Sequence, residues 1–229
     1  SLHDALPISE PALLGASRIE FSKKDYQAAA AYYQKLEEVA EVKSNLLEAR
    51  LGMLKCFNLL GDYTKVSDLA DKILLTEKLS PEQERETCFL KAKALLQRDR
   101  QMLALEEFRK VAVEVKSAEG AESKYRVAEI LYQRKDLAGA EKEISDFANK
   151  TTPHQYWMAK SFLLWADIFS AKGDVFQASQ TLQSLIDYYE KTDDGILAEA
   201  RQKKQQLAAG QDKPAARPAQ ADEEEIEVK

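Results

Sequence analysis

Side chains suited to covalent or metal chemistry are few in this sequence. Histidine occurs at His3 and His154, and cysteine at Cys56 and Cys88. A nucleophile needs a base within hydrogen-bond reach, and a metal needs several convergent ligands. The spacing of these four residues supplies neither. His154 follows Pro153 alone in a polar stretch, which suits a solvated imidazole. Cys56 and Cys88 lie outside any CxxC pair on apolar stretches, and read as two small buried hydrophobes. The run DEEEIE at 222–227 lacks the spacing and glycine of a calcium loop. No GxGxxG, P-loop, GxSxG or HExxH pattern occurs. No catalytic set, cofactor or metal is therefore expected.

Charge leaves recognition chemistry open. A net charge of −6 gives a nucleic-acid backbone no electrostatic help, so no nucleic-acid partner is expected. No apolar run approaches the roughly 18 residues needed to span a bilayer. The expected partner is a protein or a peptide.

The elements that must present such a surface follow from a repeat. Asp25, Asp62, Asp99, Asp136 and Asp174 stand in KKDY, LGDY, QRDR, RKDL and KGDV, at intervals of 37, 37, 37 and 38 residues. Each aspartate separates two stretches of helical period. In the last unit, Phe162, Trp165, Ala166 and Phe169 share one face before the turn, and Ala178, Leu182, Leu185 and Tyr189 share one after it. This places Phe162 and Trp165 on the core face, and makes Tyr156 and Trp157 a secondary contact site. Asp at the turn suits an N-cap, and Gly61 and Gly173 suit a left-handed helix end. No such helix pair can bury its apolar stripe alone, so neighbouring pairs must stack.

These units resemble the tetratricopeptide repeat family. The fifth carries Ala166, Phe169, Asp174, Ala178, Leu182 and Leu185 at the family's positions. The fourth carries Ala128, Leu131, Asp136, Ala140, Ile144 and Phe147, and the first Ser17, Asp25, Ala29, Tyr33 and Leu36. The second has Leu54 and Val66 at small-residue sites. The third shows one extra turn residue, because Ala104 stands five after Asp99. The resemblance implies an all-α, right-handed α-solenoid of five helix-turn-helix repeats. Their expected bounds are about 10–42, 43–79, 80–116, 117–152 and 153–192. A capping helix at 194–209 would turn Arg201 to Gln206 toward water, and an acidic tail without core residues would occupy 210–229.

The resemblance also implies a concave groove lined by the first helix of each repeat. Eleven residues before the turns, and counted one step later in the third unit here and in the next row, it places Leu14, Leu51, Phe89, Tyr125 and Leu163. Seven before, it places Arg18, Lys55, Lys93, Glu129 and Asp167, which change sign along the groove, with Asn58 and Tyr132 as polar handles. A peptide with acidic and basic parts would match that sign change, unless the charges are merely solvated. The Asn and Lys set with which co-chaperone members hold a terminal carboxylate is not reproduced.

The long, aromatic-rich repeats are similar in texture to bacterial cell-envelope tetratricopeptide proteins of the outer-membrane assembly and Tol–Pal accessory type. That likeness implies a periplasmic or outer-membrane setting; the alternative is a cytoplasmic adaptor or regulatory domain. Self-association through the solenoid ends is a further expectation. Ser1 to Ile8 resemble a translated sequencing adapter, TCC CTA CAC GAC GCT CTT CCG ATC, so residues 1–9 are expected to be non-native. That leaves room for earlier repeats before Leu13 and Leu14, which would otherwise form an uncapped apolar edge, and their number is not fixed by the sequence.

Overall fold

The computed structural model describes residues 9–75 and 78–211, and the expected adapter-derived residues and acidic tail lie almost wholly outside them. Eleven helices occupy the described residues: α1 (Glu10–Ser22), α2 (Tyr26–Val39), α3 (Lys43–Leu60), α4 (Tyr63–Leu75), α5 (Pro81–Gln97), α6 (Gln101–Val111), α7 (Ala118–Gln133), α8 (Leu137–Ala148), α9 (Gln155–Ala171), α10 (Val175–Tyr188) and α11 (Ile196–Gln211). The chain divides within α9, between Ser161 and Phe162, into two compact units. In the first unit each of α1 to α7 packs on the next, and α1, α3, α5 and α7 also touch in series, which is a helical-repeat solenoid. The second unit holds the rest of α9, α10 and α11, with α10 against α11.

One turn geometry joins all five helix pairs. A single residue takes the left-handed conformation: Lys24 (φ 64°), Gly61 (74°), Asp99 (56°), Lys135 (67°) and Gly173 (81°). The next residue donates its N–H to a carbonyl five residues back: Asp25 to Glu20, Asp62 to Phe57, Arg100 to Leu95, Asp136 to Leu131 and Asp174 to Phe169. This 6→1 bond closes the last carbonyls of the first helix. The same residue then caps the second helix. The carboxylates of Asp25, Asp62, Asp136 and Asp174 accept from the N–H groups of Ala28, Lys65, Gly139 and Gln177 at 2.9–3.2 Å.

The third turn corrects the expectation of an extra residue. Asp99 occupies the left-handed position and Arg100 the cap, where its side chain accepts nothing. Counted from Arg100, the repeat is regular: Ala104, Phe108 and Val111 lie four, eight and eleven residues on, all buried. The aspartate had marked the turn one residue early.

The apolar rows meet as their spacing requires. Ala29, Val66, Ala104, Ala140 and Ala178 are wholly buried, as are Leu36, Ile73 and Phe147 further along the second helices. The core around α1 and α2 takes in Ala49, Met53 and Cys56 of α3, so the first repeat is completed by the second. Leu13 is buried in that core and is not an exposed edge. Carboxylates and cations stitch the same elements: Glu37 of α2 accepts from Arg50 of α3 at 2.7 Å and Lys72 of α4 at 2.6 Å. Lys91 of α5 reaches Asp71 of α4 at 2.7 Å and Glu107 of α6 at 2.8 Å.

Leu54 and Val66, the bulky pair of the second repeat, are both buried, and α3 packs more extensively on α2 than on α4. The close approach has moved to Gly52. A Cβ there would stand 2.4 Å from the Tyr33 ring of α2, so the missing side chain admits the ring.

Two predictions follow from turn and packing. Asp99→Gly with Arg100→Asp removes left-handed strain, restores the cap and takes a cation off a helix N-terminus, stabilising by about 1–2 kcal/mol. The thermal unfolding midpoint should rise; an unchanged or lower midpoint would show that the third turn lacks nothing. Gly52→Ala should destabilise by about 1–3 kcal/mol through overpacking against a buried ring. Combining it with Tyr33→Ala should cost less than the sum of the two single changes in urea titrations.

Candidate functional site

The first helices present the candidate site residues, and the structure sorts them by unit. In the first unit Leu14 and Leu51 are half-buried, whereas Phe89 and Tyr125 are buried between helices. Leu163, in the second unit, is also buried. The expected apolar row therefore reaches the surface only at Leu14 and Leu51, because close neighbouring first helices use the other positions as core. Asn58 and Tyr132 are half-buried.

The charged row changes sign along the chain as its spacing suggested, and its members are engaged by other side chains. Arg18 of α1 donates through Nε and Nη2 to the two carboxylate oxygens of Glu48 of α3, each at 2.7 Å. Lys55 of α3 pairs with Glu86 of α5 at 3.0 Å. Both pairs follow one rule: the residue seven before one cap meets the residue fourteen before the next. The same spacing counts Glu122 against Lys93 and Lys160 against Glu129, but there Glu122 and Glu129 both pair with Arg126. In those places aromatic residues modify the pattern. Lys93 lies over the Phe89 ring at 5.2 Å. Glu129 accepts from Arg126 at 2.8 Å and from the Tyr125 hydroxyl at 2.7 Å.

Arg126 organises an aromatic cluster. Its guanidinium lies 5.5 Å from the Tyr125 ring centre and 5.6 Å from that of Trp157, and it also reaches Glu122. Burial alone would lower its pKa, but the hydrogen bond to Glu129 and the charges of Glu129 and Glu122 outweigh this and raise it. The Tyr125 and Trp157 rings stand 5.5 Å apart, and Tyr156 meets Trp157 edge-on at 5.0 Å. Lys160 Nζ also lies over the Tyr125 ring, 5.9 Å from its centre. Tyr156 and Trp157 are thus half-buried members of a cluster with Tyr125, not a separate exposed site.

One open part of the first-helix face lies on α3 beside α5. A depression of about 470 Å³ is lined by Ser44, Leu47, Glu48, Leu51, Lys55 and Gln83, with the Tyr33 ring and Gly52 beneath. Sequence reasoning found Leu51 and Lys55. It missed Ser44, Leu47, Glu48 and Gln83, although Glu48 and Leu47 sit one helical turn before Leu51 on the same face.

In the second unit Asp167 accepts from Lys203 of α11 at 2.7 and 2.8 Å, and Lys204 pairs with Gln183. Both lysines had been expected to face water; instead they tie α11 to the body. That helix also runs to Gln211, two residues past its expected end. Phe162 and Trp165, expected in the core, are half-buried, and the Trp165 ring stacks on Phe169 at 5.7 Å.

The reactive candidates are placed inertly. Cys56 and Cys88 are free and buried, and burial pushes each thiol up to about 11. The His154 ring Nε2 lies 3.1 Å from the Lys116 carbonyl oxygen, joining the loop before α9 to the loop before α7. No helix among the described residues is long and apolar enough to cross a membrane.

No protein-family model and no curated protein matches this sequence. Solved structures do match. YrrB, described as a TPR protein with an unusual peptide-binding site, superposes with a TM-score of 0.62 at 17% identity, covering 85% of this chain and 92% of that one. MamA gives a TM-score of 0.61 at 12% identity, covering 80% and 97%. A tetratricopeptide repeat protein from Parabacteroides merdae gives 0.56 at 15% identity, covering 90% and 77%. With five pairs of helices joined by one recurring turn, and with these neighbours, the chain has the tetratricopeptide-repeat fold.

Proposed function

We propose that this chain is a non-catalytic protein-interaction scaffold that holds a peptide or protein segment on the first-helix face of its first unit. The depression of about 470 Å³ on α3 carries the reading, since it is within the size range of ligand sites and has an aliphatic floor at Leu47 and Leu51. The ion pairs at its rim are no barrier. Arg18 and Lys55 are 59% and 42% exposed, and exposed pairs contribute about 0–1 kcal/mol. The structural likeness to YrrB, whose description names a peptide-binding site, supports a role of the same general kind. Candidate contact residues are Leu14, Arg18, Leu51, Lys55 and Asn58, with Lys93, Glu129 and Tyr132 along the same row.

The cellular setting we propose is a bacterial cell-envelope assembly, in the periplasm or at the outer membrane. Its support is the texture of the long, aromatic-rich repeats. Fractionating cells that express the natural full-length gene tests it, and a purely cytosolic product would refute it.

Panning a random peptide library on the intact chain tests the binding role. Enriched peptides should lose binding to Leu51→Asp, which puts a charge on the aliphatic floor, while the variant keeps its helical circular dichroism. Equal capture by both proteins would remove the site from α3, and no enrichment on the wild-type chain would count against a peptide-binding scaffold.

A further inference from the structure

Two cross-repeat ion pairs flank the depression on α3. The inference they support rests on the binding role proposed above and goes further, to the class of segment bound. The two charged side chains that border the depression, Glu48 and Lys55, are both engaged by neighbouring first helices, at Arg18 and Glu86. The Arg18–Glu48 contact is a two-pronged fork, the geometry in which a guanidinium matches a carboxylate best. Between the pairs the floor is apolar, Leu47, Leu51 and the Tyr33 ring, and the remaining polar lining, Ser44 and Gln83, is neutral. One cation and one anion thus face the depression, each cancelled by a partner outside it.

We infer that the face binds a net-neutral segment through aliphatic side chains, and that the ion pairs hold it indifferent to the sign of a ligand's charge. A strongly acidic segment meets Glu48 and Glu86 as well as Lys55; a strongly basic one meets Arg18 and Lys55 as well as Glu48. Either must break a pair to gain one, so charge adds little attraction, and the leucine contact with Leu47 and Leu51 supplies the affinity. The neutrality depends on single residues. Removing one member of a pair leaves its partner as an uncancelled charge beside the depression, and the preference should tip toward the opposite sign. Lys55→Gln releases Glu86, and Arg18→Gln releases Glu48; both variants should favour basic segments. Glu48→Gln releases Arg18 and should favour acidic ones.

Three synthetic helix-forming peptides test this, sharing one leucine face and differing only in net charge: neutral, acidic and basic. Their affinities for the intact chain are measured by fluorescence anisotropy at low and at high salt. The neutral peptide should bind the wild-type chain best, with little salt dependence. Lys55→Gln and Arg18→Gln should each raise the basic-to-acidic affinity ratio by about threefold or more at low salt, and Glu48→Gln should lower it by a similar factor, since each change frees one exposed charge. All three positions are surface pairs, and circular dichroism checks that each variant stays folded. Tightest binding by a charged peptide, steep loss of affinity with salt, ratios that do not move in opposite directions, or no binding by any of the three would overturn the inference. Peptides enriched by panning that are strongly charged would overturn it while leaving the binding role intact.

Discussion

A helix pair in this chain is held at its angle by one residue in the left-handed conformation followed by one capping residue. The rest of the architecture depends on that turn. The left-handed residue ends the first helix and lets the next N–H close its open carbonyls. The following residue then starts the second helix, so the chain reverses without a loop. The geometry survives changes of residue type, because Lys24, Gly61, Asp99, Lys135 and Gly173 all fill the left-handed position. It is the backbone bond pattern that is common, and the side chains adapt to it at differing cost. The third turn tolerates both a strained aspartate and an arginine that caps nothing, because the buried row of Ala104, Phe108 and Val111 holds α6 in place.

Once the turns set the pairs, the shared core determines how pairs stack. The second repeat shows how the constraint is met when the usual residues are absent. Leu54 and Val66 fill space that small residues would leave for close helix contact within the repeat. Gly52 restores a close contact elsewhere, by seating the Tyr33 ring of the preceding repeat. The same arrangement leaves the depression beside it, whose floor includes that ring. Packing compensation and the candidate site are therefore two sides of one feature of α3.

Electrostatics crosses the repeats as the core does. Triads such as Arg50–Glu37–Lys72 and Asp71–Lys91–Glu107 link three consecutive helices. On the first-helix face, Arg18–Glu48 and Lys55–Glu86 link the first helices of successive repeats. A helical repeat can absorb its own charge in this way, since a side chain two turns along one first helix lies beside the next. The consequence for recognition is that an apparent basic or acidic stripe need not be available to a ligand.

The sequence by itself determined the helix pairs, four of the five turns and the buried rows of the second helices. These follow from local causes: helical period, N-cap chemistry and backbone preference at the turn. It also showed correctly that the cysteines are separate buried hydrophobes. Tertiary structure alone decided which residues of the first-helix face are open. Phe89, Tyr125 and Leu163 share a repeat position with Leu14 and Leu51, yet the first three are buried. Spacing within one helix cannot report how close the next helix comes. The pairing of the charge row was hidden for the same reason, because Arg18 and Glu48 are thirty residues apart and meet only when two repeats stack. The third turn was misread by one residue because aspartate serves both as a cap and as a left-handed residue. Only the backbone conformation shows which of the two roles Asp99 takes.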